Sequence, residues 1–346
     1  MVTRSILPPE LGDDFSVQAA RRHGISHSRL RSADLRAPFP GVRRSADASR
    51  DALLAAIDDP YERQREFRVA TARDYAPRLH TGHFFSHETA ASIWGAPLPL
   101  AFSSDSEIAD RAELALHVCA LGGVALPRAA GVTRHRSRVC MAAMQEHAGL
   151  RVSSPATTWA MLGHLSTVDL VAIGDYFCRQ WREGRGRVHA GRPPFATIAE
   201  LREAMDAGRR LGASRLRTAL ELVREDSWSP RESHVRCILV SNELPEPALN
   251  VDLYDDNGRF LGCADLAYPK AKVAIEYYGM LHGPQWAQDV ERAASLRAAG
   301  WIVIEVTAPL LRRPKDLVAR VRAALALNSG SDVRPLSREN RVNIAP

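Results

Sequence analysis

Cys263-Ala264-Asp265-Leu266-Ala267-Tyr268-Pro269-Lys270-Ala271-Lys272-Val273-Ala274-Ile275-Glu276-Tyr277-Tyr278-Gly279-Met280-Leu281-His282 reads as two β-strands joined by a Pro-containing turn. Asp265 falls on the first strand and Glu276 on the second, with Gly279 and His282 behind it. Acids on neighbouring strands make an oxygen cage for a hard divalent cation such as Mg²⁺. A cation held that way activates water and stabilises charge on a phosphodiester. Period-two alternation places residues 272, 274, 276 and 278 on one strand face, which directs Lys272 toward the same site. Glu276 follows the apolar run Val273-Ala274-Ile275, where a charge is costly without a partner.

Outward from that stretch, the pattern predicts a helix from Ser229-Pro230-Arg231-Glu232 to about Asn242 and strands near 249–254, 260–268 and 271–277. Asp256-Asn257-Gly258 supplies the turn between the first two strands. A helix over about 286–299, the strand Trp301–Thr307 and a helix over 317–327 complete an α-β-β-β-α-β-α order. Glu232 is the third helical residue after Ser229, a capping box with Pro at the first position.

This order, with Asp265, Glu276, Gly279 and His282, then Asp289, Arg292 and Gly300-Trp301-Ile302-Val303-Ile304, resembles the PD-(D/E)XK nuclease superfamily. Within it, residues 229–327 look most like a Vsr-related endonuclease-like domain found in many bacteria. The resemblance implies a restriction-endonuclease-like fold, Mg²⁺ as cofactor, and Asp265, Glu276, His282 and Glu232 as catalytic candidates. Asp265 and Glu276 would be the metal ligands, and Arg292 and Lys272 would contact phosphate. Tyr278 departs from the pattern. That position is acidic in the Vsr-related domain and Lys in the wider superfamily, and a phenol with a pKa near ~10 replaces neither at neutral pH. Enzyme activity is therefore left open, between a Mg-dependent DNA endonuclease and an inactive scaffold.

Ahead of this domain, Phe15–His23 predicts a short helix capped by Ser16, Gly24-Ile25-Ser26 a turn, and His27–Ala33 a second helix carrying Arg29 and Arg31. Such a second helix either enters a major groove or completes a small helical hairpin that only packs or docks a protein. Pro38–Arg44 reads as a wing-like strand pair or a loop, and Tyr61–Glu66 as a solvated helix face. Phe15-Ser16-Val17, Gly24-Ile25-Ser26, Leu30-Arg31 and Ser154-Pro155-Ala156-Thr157-Thr158 resemble the AbiEi-type antitoxin region over about 14–180. That resemblance implies a winged helix joined to an α/β domain, double-stranded DNA as partner, and a cognate toxin as a further one.

The expected organisation is α/β and multidomain: a helix-turn-helix or winged-helix module over 1–80, an AbiEi-like α/β domain over 81–225, a Vsr-like nuclease-fold domain over 226–327, and a disordered tail over 328–346. Ser86–Gly95 predicts a capped helix with His87 and Glu88 as cap and surface residues. Leu114–Cys119 predicts a strand, Val132–Arg138 a basic segment, 182–194 a Gly/Arg/Pro loop, and 197–224 helix.

The 346 residues are 45% hydrophobic and carry net charge +6, almost all of the positive charge being Arg. Only Lys270, Lys272 and Lys315 are lysines. The Arg surplus fits a GC-rich genome, and a basic, Arg-rich chain is also compatible with phosphate recognition. The five cysteines are scattered, which fits free buried thiols in a reducing compartment. His117 and Cys119 lie two apart with no second ligand pair nearby in sequence, so no zinc site is expected there. No apolar run reaches the length of a spanning helix, and Met1–Glu10 lacks a signal-peptide core, so the expectation is a cytoplasmic protein without membrane contact.

Overall fold

The computed structural model describes residues 7–46, 48–185, 187–278 and 284–328, with side chains described for all of these except 48–50, 284–289 and 328. The protein is mixed α/β, with three sheets among the described residues. It divides into two compact units, Met1–His164 with Ala199–Leu211, and Leu165–Ile198 with Gly212–Pro346. The modules expected over 1–80 and 81–225 thus fall largely within the first unit. No helix of the described residues is long and apolar enough to cross a membrane.

The first unit begins with β1 (Asp14–Ser16), α1 (Val17–Arg22), β2 (Leu35–Arg36) and β3 (Val42–Ser45), in the antiparallel order β1-β3-β2. Ser16 Oγ accepts the Ala19 N–H at 3.0 Å and caps α1 as the sequence predicts. Phe15, Ala20 and Leu30 are buried together beneath it. The second helix expected over His27–Ala33 is instead one 3-10 turn, Arg29–Arg31. The chain must reach β2 by Leu35, and Arg29 grips Asp34 through two 2.9 Å hydrogen bonds, which closes the segment as a loop. Arg43 Nε also donates to the Leu30 carbonyl at 2.6 Å and holds the loop to β3.

Two helices, α2 (Ala48–Ala55) and α3 (Pro60–Tyr75), lead to the larger sheet. The face of α3 near Tyr61–Glu66 is not simply solvated. Gln64 is buried, and its amide meets the backbone of Ala101 and Ala109, each bond 2.9 Å. The sheet comprises β4 (His83–Phe85), β5 (Leu116–Leu121), β6 (Val132–Ser137), β7 (Met144–His147) and β8 (Leu150–Ser153), ordered β6-β5-β4-β8-β7. Helices α4 (His87–Trp94) and α5 (Pro155–Met161) follow β4 and β8. The basic segment Val132–Arg138 is therefore an edge strand paired in parallel with β5.

The second unit contains α6 (Thr167–Cys178), the first residue of α7 (Ile198–Asp206), α8 (Ala213–Leu222) and α9 (Pro230–Ser241). The helix expected over 197–224 is broken between α7 and α8, where Gly212 takes a left-handed conformation (φ 64°). Then come β9 (Ala248–Tyr254), β10 (Phe260–Tyr268), β11 (Val273–Tyr278), α10 (Pro284–Ala298), β12 (Ile302–Thr307), α11 (Ala308–Leu311) and α12 (Pro314–Asn328). The sheet order is β12-β11-β10-β9, antiparallel except for β11 and β12, which run parallel. The α-β-β-β-α-β order expected of 229–327 is present.

Both sheet faces are covered. Leu266, Val273, Ile275, Ile304 and Val306 pack with α9 and α12 residues such as Val235, Leu239, Leu317 and Val321. Ala264, Ala267 and Ala274 pack with Leu296 of α10 and with Trp301. Among the cysteines Cys119, Cys178 and Cys237 are buried, but Cys140 is exposed and Cys263 half-buried. The tail over 329–346 lies outside the described residues.

Candidate functional site

Asp265 and Glu276 sit where β10 and β11 part. Their hydrogen-bonded register ends at Leu266 and Ile275. One residue further, Asp265 Oδ2 accepts the Tyr277 N–H at 2.9 Å, so a carboxylate takes the place of a backbone carbonyl. Glu276 alternates with Ile275, which puts it on the face covered by α10. There it is 1% exposed and forms an ion pair with Arg292 Nη2 at 2.9 Å. A buried carboxylate on a strand requires such a partner.

Glu232 joins from α9. Its backbone N–H donates to Ser229 Oγ at 3.2 Å, so the helix cap read from the sequence is present. Its carboxylate Oε2 accepts from Trp228 N at 2.9 Å and from Asn250 Nδ2 at 2.6 Å. Asn250 is a β9 residue in left-handed conformation (φ 48°), and its amide also donates to the Asp226 carbonyl at 2.7 Å. Burial, then the charge of Asp265, push the Glu232 carboxyl up to about 7, against the lowering effect of its hydrogen bonds. The Asp265 charge thus acts on Glu232, while Glu276 Oε2 is held separately by Arg292. With Glu232, Asp265 and Glu276 all described, the three do not bring their oxygens mutually within 4.8 Å.

The remaining sequence candidates divide. His282 and Gly279 lie outside the described residues, as does the side chain of Asp289. Lys272 is not a strand residue: it ends the β10–β11 turn in left-handed conformation (φ 45°), 3.6 Å from Asp256 Oδ1. The turn needs that conformation before β11 starts at Val273, so Lys272 does not share the alternation of Ala274 and Glu276. Arg292 pairs with Glu276. Arg29 is consumed by Asp34, whereas Arg31 is exposed.

Gly262 makes room for Arg292. It sits at the irregularity in the β9–β10 register, with φ 151°. A Cβ there would stand 2.7 Å from Arg292 Cδ and 2.9 Å from Cγ. Gly262→Ala is expected to dislodge Arg292 from Glu276 and cost about 1–3 kcal/mol. Thermal melts of Gly262→Ala, Arg292→Ala and the double variant check this. The steric part should disappear in the Arg292→Ala background, giving a non-additive cycle; additive losses would count against it.

Two further groupings have no strong sequence signal. In the second unit Arg and Trp alternate in a stack. Arg192 and Arg179 lie 5.3 and 3.8 Å from the Trp181 ring centre, and Arg179 and Arg187 lie 5.1 and 4.9 Å from that of Trp228. Arg187 also reaches Asp252 at 2.6 Å, so the Arg-rich loop is tied down next to β9.

In the first unit His87, His117 and His135 come together. His87 stacks on His135 with ring centres 3.8 Å apart, and His117 Nδ1 faces His135 Nε2 at 2.9 Å. Glu88 receives His164 at 2.8 Å and His117 Nε2 at 3.3 Å. Burial, with neighbouring histidines adding to it, lowers His87 to about 3 and His135 to about 4. Although its burial opposes this, the histidines around Glu88 lower its carboxyl to about 2. No sequence spacing links residues 87, 117 and 135; parallel pairing of β5 with β6 and the β4–α4 junction bring them together. The zinc ligation dismissed for His117 beside Cys119 thus has other partners available, and Cys119 is not among them.

Comparison of the chain with protein-family models, with curated proteins and with solved structures returned no match.

Proposed function

We propose that this chain is a DNA-binding protein whose second unit carries a Vsr-like, PD-(D/E)XK-type endonuclease frame, with a phosphodiester as substrate. Glu232 and Asp265 are the seat of a hard divalent cation of the Mg²⁺ class. One observation carries the reading: the buried Glu232 carboxyl on α9 is raised to about 7 by its burial and then by the charge of Asp265 on β10. Such a pair is costly unless a proton or a cation neutralises it. Mg²⁺ is held through one or two carboxylates and keeps several waters, so a two-carboxylate seat suits it. When bound there it supplies charge stabilisation for a phosphodiester. In this reading Arg292 is the guanidinium placed for a phosphate, and Glu276 is its counter-ion at rest.

The test is plasmid nicking by the full chain with Mg²⁺ or Mn²⁺. Wild type should nick, and Asp265→Ala, Glu276→Ala and Glu232→Gln should each lose at least tenfold. Equal nicking by all four would remove the assignment.

The Glu276–Arg292 ion pair and Tyr278 favour a second reading, a regulator of the antitoxin type that keeps the nuclease frame as a scaffold. It predicts salt-dependent binding to duplex DNA, no cleavage with any divalent cation, and a cognate toxin as partner. Full DNA affinity after Arg31→Glu would sink the part of that reading that places contact in the N-terminal module.

A further inference from the structure

We propose that His87, His117 and His135 form a binding site for a transition-metal cation of the Zn²⁺ class, separate from the Glu232–Asp265 pair.

One nitrogen from each ring lies within 4.8 Å of the other two. Tetrahedral coordination at Zn–N distances of about 2.0–2.1 Å places donor nitrogens about 3.3 Å apart, which this spacing accommodates with small ring movements. Imidazole donors select Zn²⁺, Co²⁺, Ni²⁺ or Cu²⁺ over the oxygen-seeking Mg²⁺. The cluster therefore answers to different ions from those expected of the carboxylate pair.

The polar groups behind the rings are placed as around a metal site. His87 Nδ1 lies 3.0 Å from Ser86 Oγ, which leaves Nε2 as the free lone pair. His117 Nε2 faces the Glu88 carboxylate at 3.3 Å, which leaves Nδ1. His135 presents Nε2 to that same Nδ1 at 2.9 Å. A carboxylate behind a histidine fixes the tautomer and raises the basicity of the ligating nitrogen. Glu88 is held in place by His164 on its other oxygen at 2.8 Å. Without a metal, one proton must lie between His117 Nδ1 and His135 Nε2. A cation taking both lone pairs sends that proton to His135 Nδ1, and none is lost from the protein.

The backbone adds an independent sign. His87 opens α4 at φ 51°, a conformation that costs a non-glycine residue about 1–3 kcal/mol. In this conformation its ring lies stacked on that of His135. Three protein ligands leave a fourth position open. His87 and His135 line a cleft of about 430 Å³ with Arg138, Met141 and Arg209, which gives access from solvent.

The test uses the full chain, stripped with chelator and titrated with Co²⁺ followed by visible absorption, then with Zn²⁺ against a chromophoric chelator. One equivalent of each should bind, with the d–d bands of a four- or five-coordinate Co²⁺. His117→Ala and His135→Ala should weaken Zn²⁺ at least 100-fold, and Glu88→Gln 10- to 100-fold through the lost support of His117. His189→Ala, in the other unit, should match wild type. Should His117→Ala fail to fold, His135→Asn on the edge strand β6 carries the test, with its apo melt confirming the fold. Less than about 0.2 equivalents bound to wild type, or wild-type affinity in a folded His135 variant, would overturn the site. Nicking with Mg²⁺ is read separately, so either proposal can fail alone.

Discussion

Asp175→Ala is expected to destabilise the protein by about 3–5 kcal/mol, the range for removing one partner of a buried ion pair. Asp175 lies on α6 and is 1% exposed, and Arg236 on α9 is fully buried. The carboxylate accepts from Arg236 Nη2 at 3.0 Å, Ser233 Oγ at 2.7 Å and Arg224 N at 2.7 Å. Those three donors lie on α9 or just beyond α8, so one side chain joins the helical layer to the helix that carries Glu232. Despite its burial, Arg236 is held above its ordinary pKa, chiefly by the charge of Asp175, and it stays cationic in the variant. Its other partner, Glu246 at 3.2 Å, is more than a third exposed and offsets little of that charge. Urea unfolding gives the measurement, as a fall in midpoint at unchanged slope. Asp175→Asn, which keeps an acceptor for Arg224 N, should fall between wild type and alanine. A loss below about 1 kcal/mol for the alanine variant would show that α6 and α9 are held by apolar packing alone.

The part of the fold legible in the sequence is the part with strong local grammar. The strands of the second unit alternate or run apolar over six residues or more, and Ser229 and Ser16 each cap the helix expected of them. Two local readings failed where neighbours decided the outcome. His27–Ala33 has helical spacing and a capping Ser, but the pull of Asp34 on Arg29 and the start of β2 leave space for a single turn. Lys272 reads as a strand residue by alternation, yet the turn after Pro269 requires a left-handed residue there. Of the candidate site, Asp265 and Glu276 could be placed on adjacent strands because both strands are periodic. Their partners could not be read. The Arg292–Glu276 pair depends on Gly262 of β10, thirty positions before Arg292, and no fixed sequence interval links the two. Asn250 reaches Glu232 only because of a left-handed break in β9. The histidine cluster was invisible for the same reason: its members are contributed by a helix start and two strands, and parallel strand pairing leaves no fixed sequence interval.

Glu232→Gln is expected to change how stability depends on pH, and to do so with a definite sign. The folded-state carboxyl is raised from its ordinary 4.5 to about 7, so the folded protein holds this proton more tightly than the unfolded chain does. The favourable contribution is therefore complete below about pH 4.5 and is lost as pH rises to about 7. Across that window it amounts to roughly 3 kcal/mol, at ~1.4 kcal/mol per pKa unit. Glutamine keeps an oxygen for Trp228 N and Asn250 and carries no charge, so the variant should lack this term. Wild type and Glu232→Gln should then be about equally stable near pH 4, and the variant more stable near pH 8. Taking the difference between the two proteins at each pH cancels the other titrating groups. Mg²⁺ sharpens the test, because a cation between Glu232 and Asp265 replaces the proton that high pH removes. At pH 8, millimolar Mg²⁺ should raise the wild-type urea midpoint and leave that of Glu232→Gln nearly unchanged. Parallel pH profiles would show that the two acids do not interact as a pair. A pH difference without a Mg²⁺ response would leave the pair as a proton-holding contact and remove it as a cation seat.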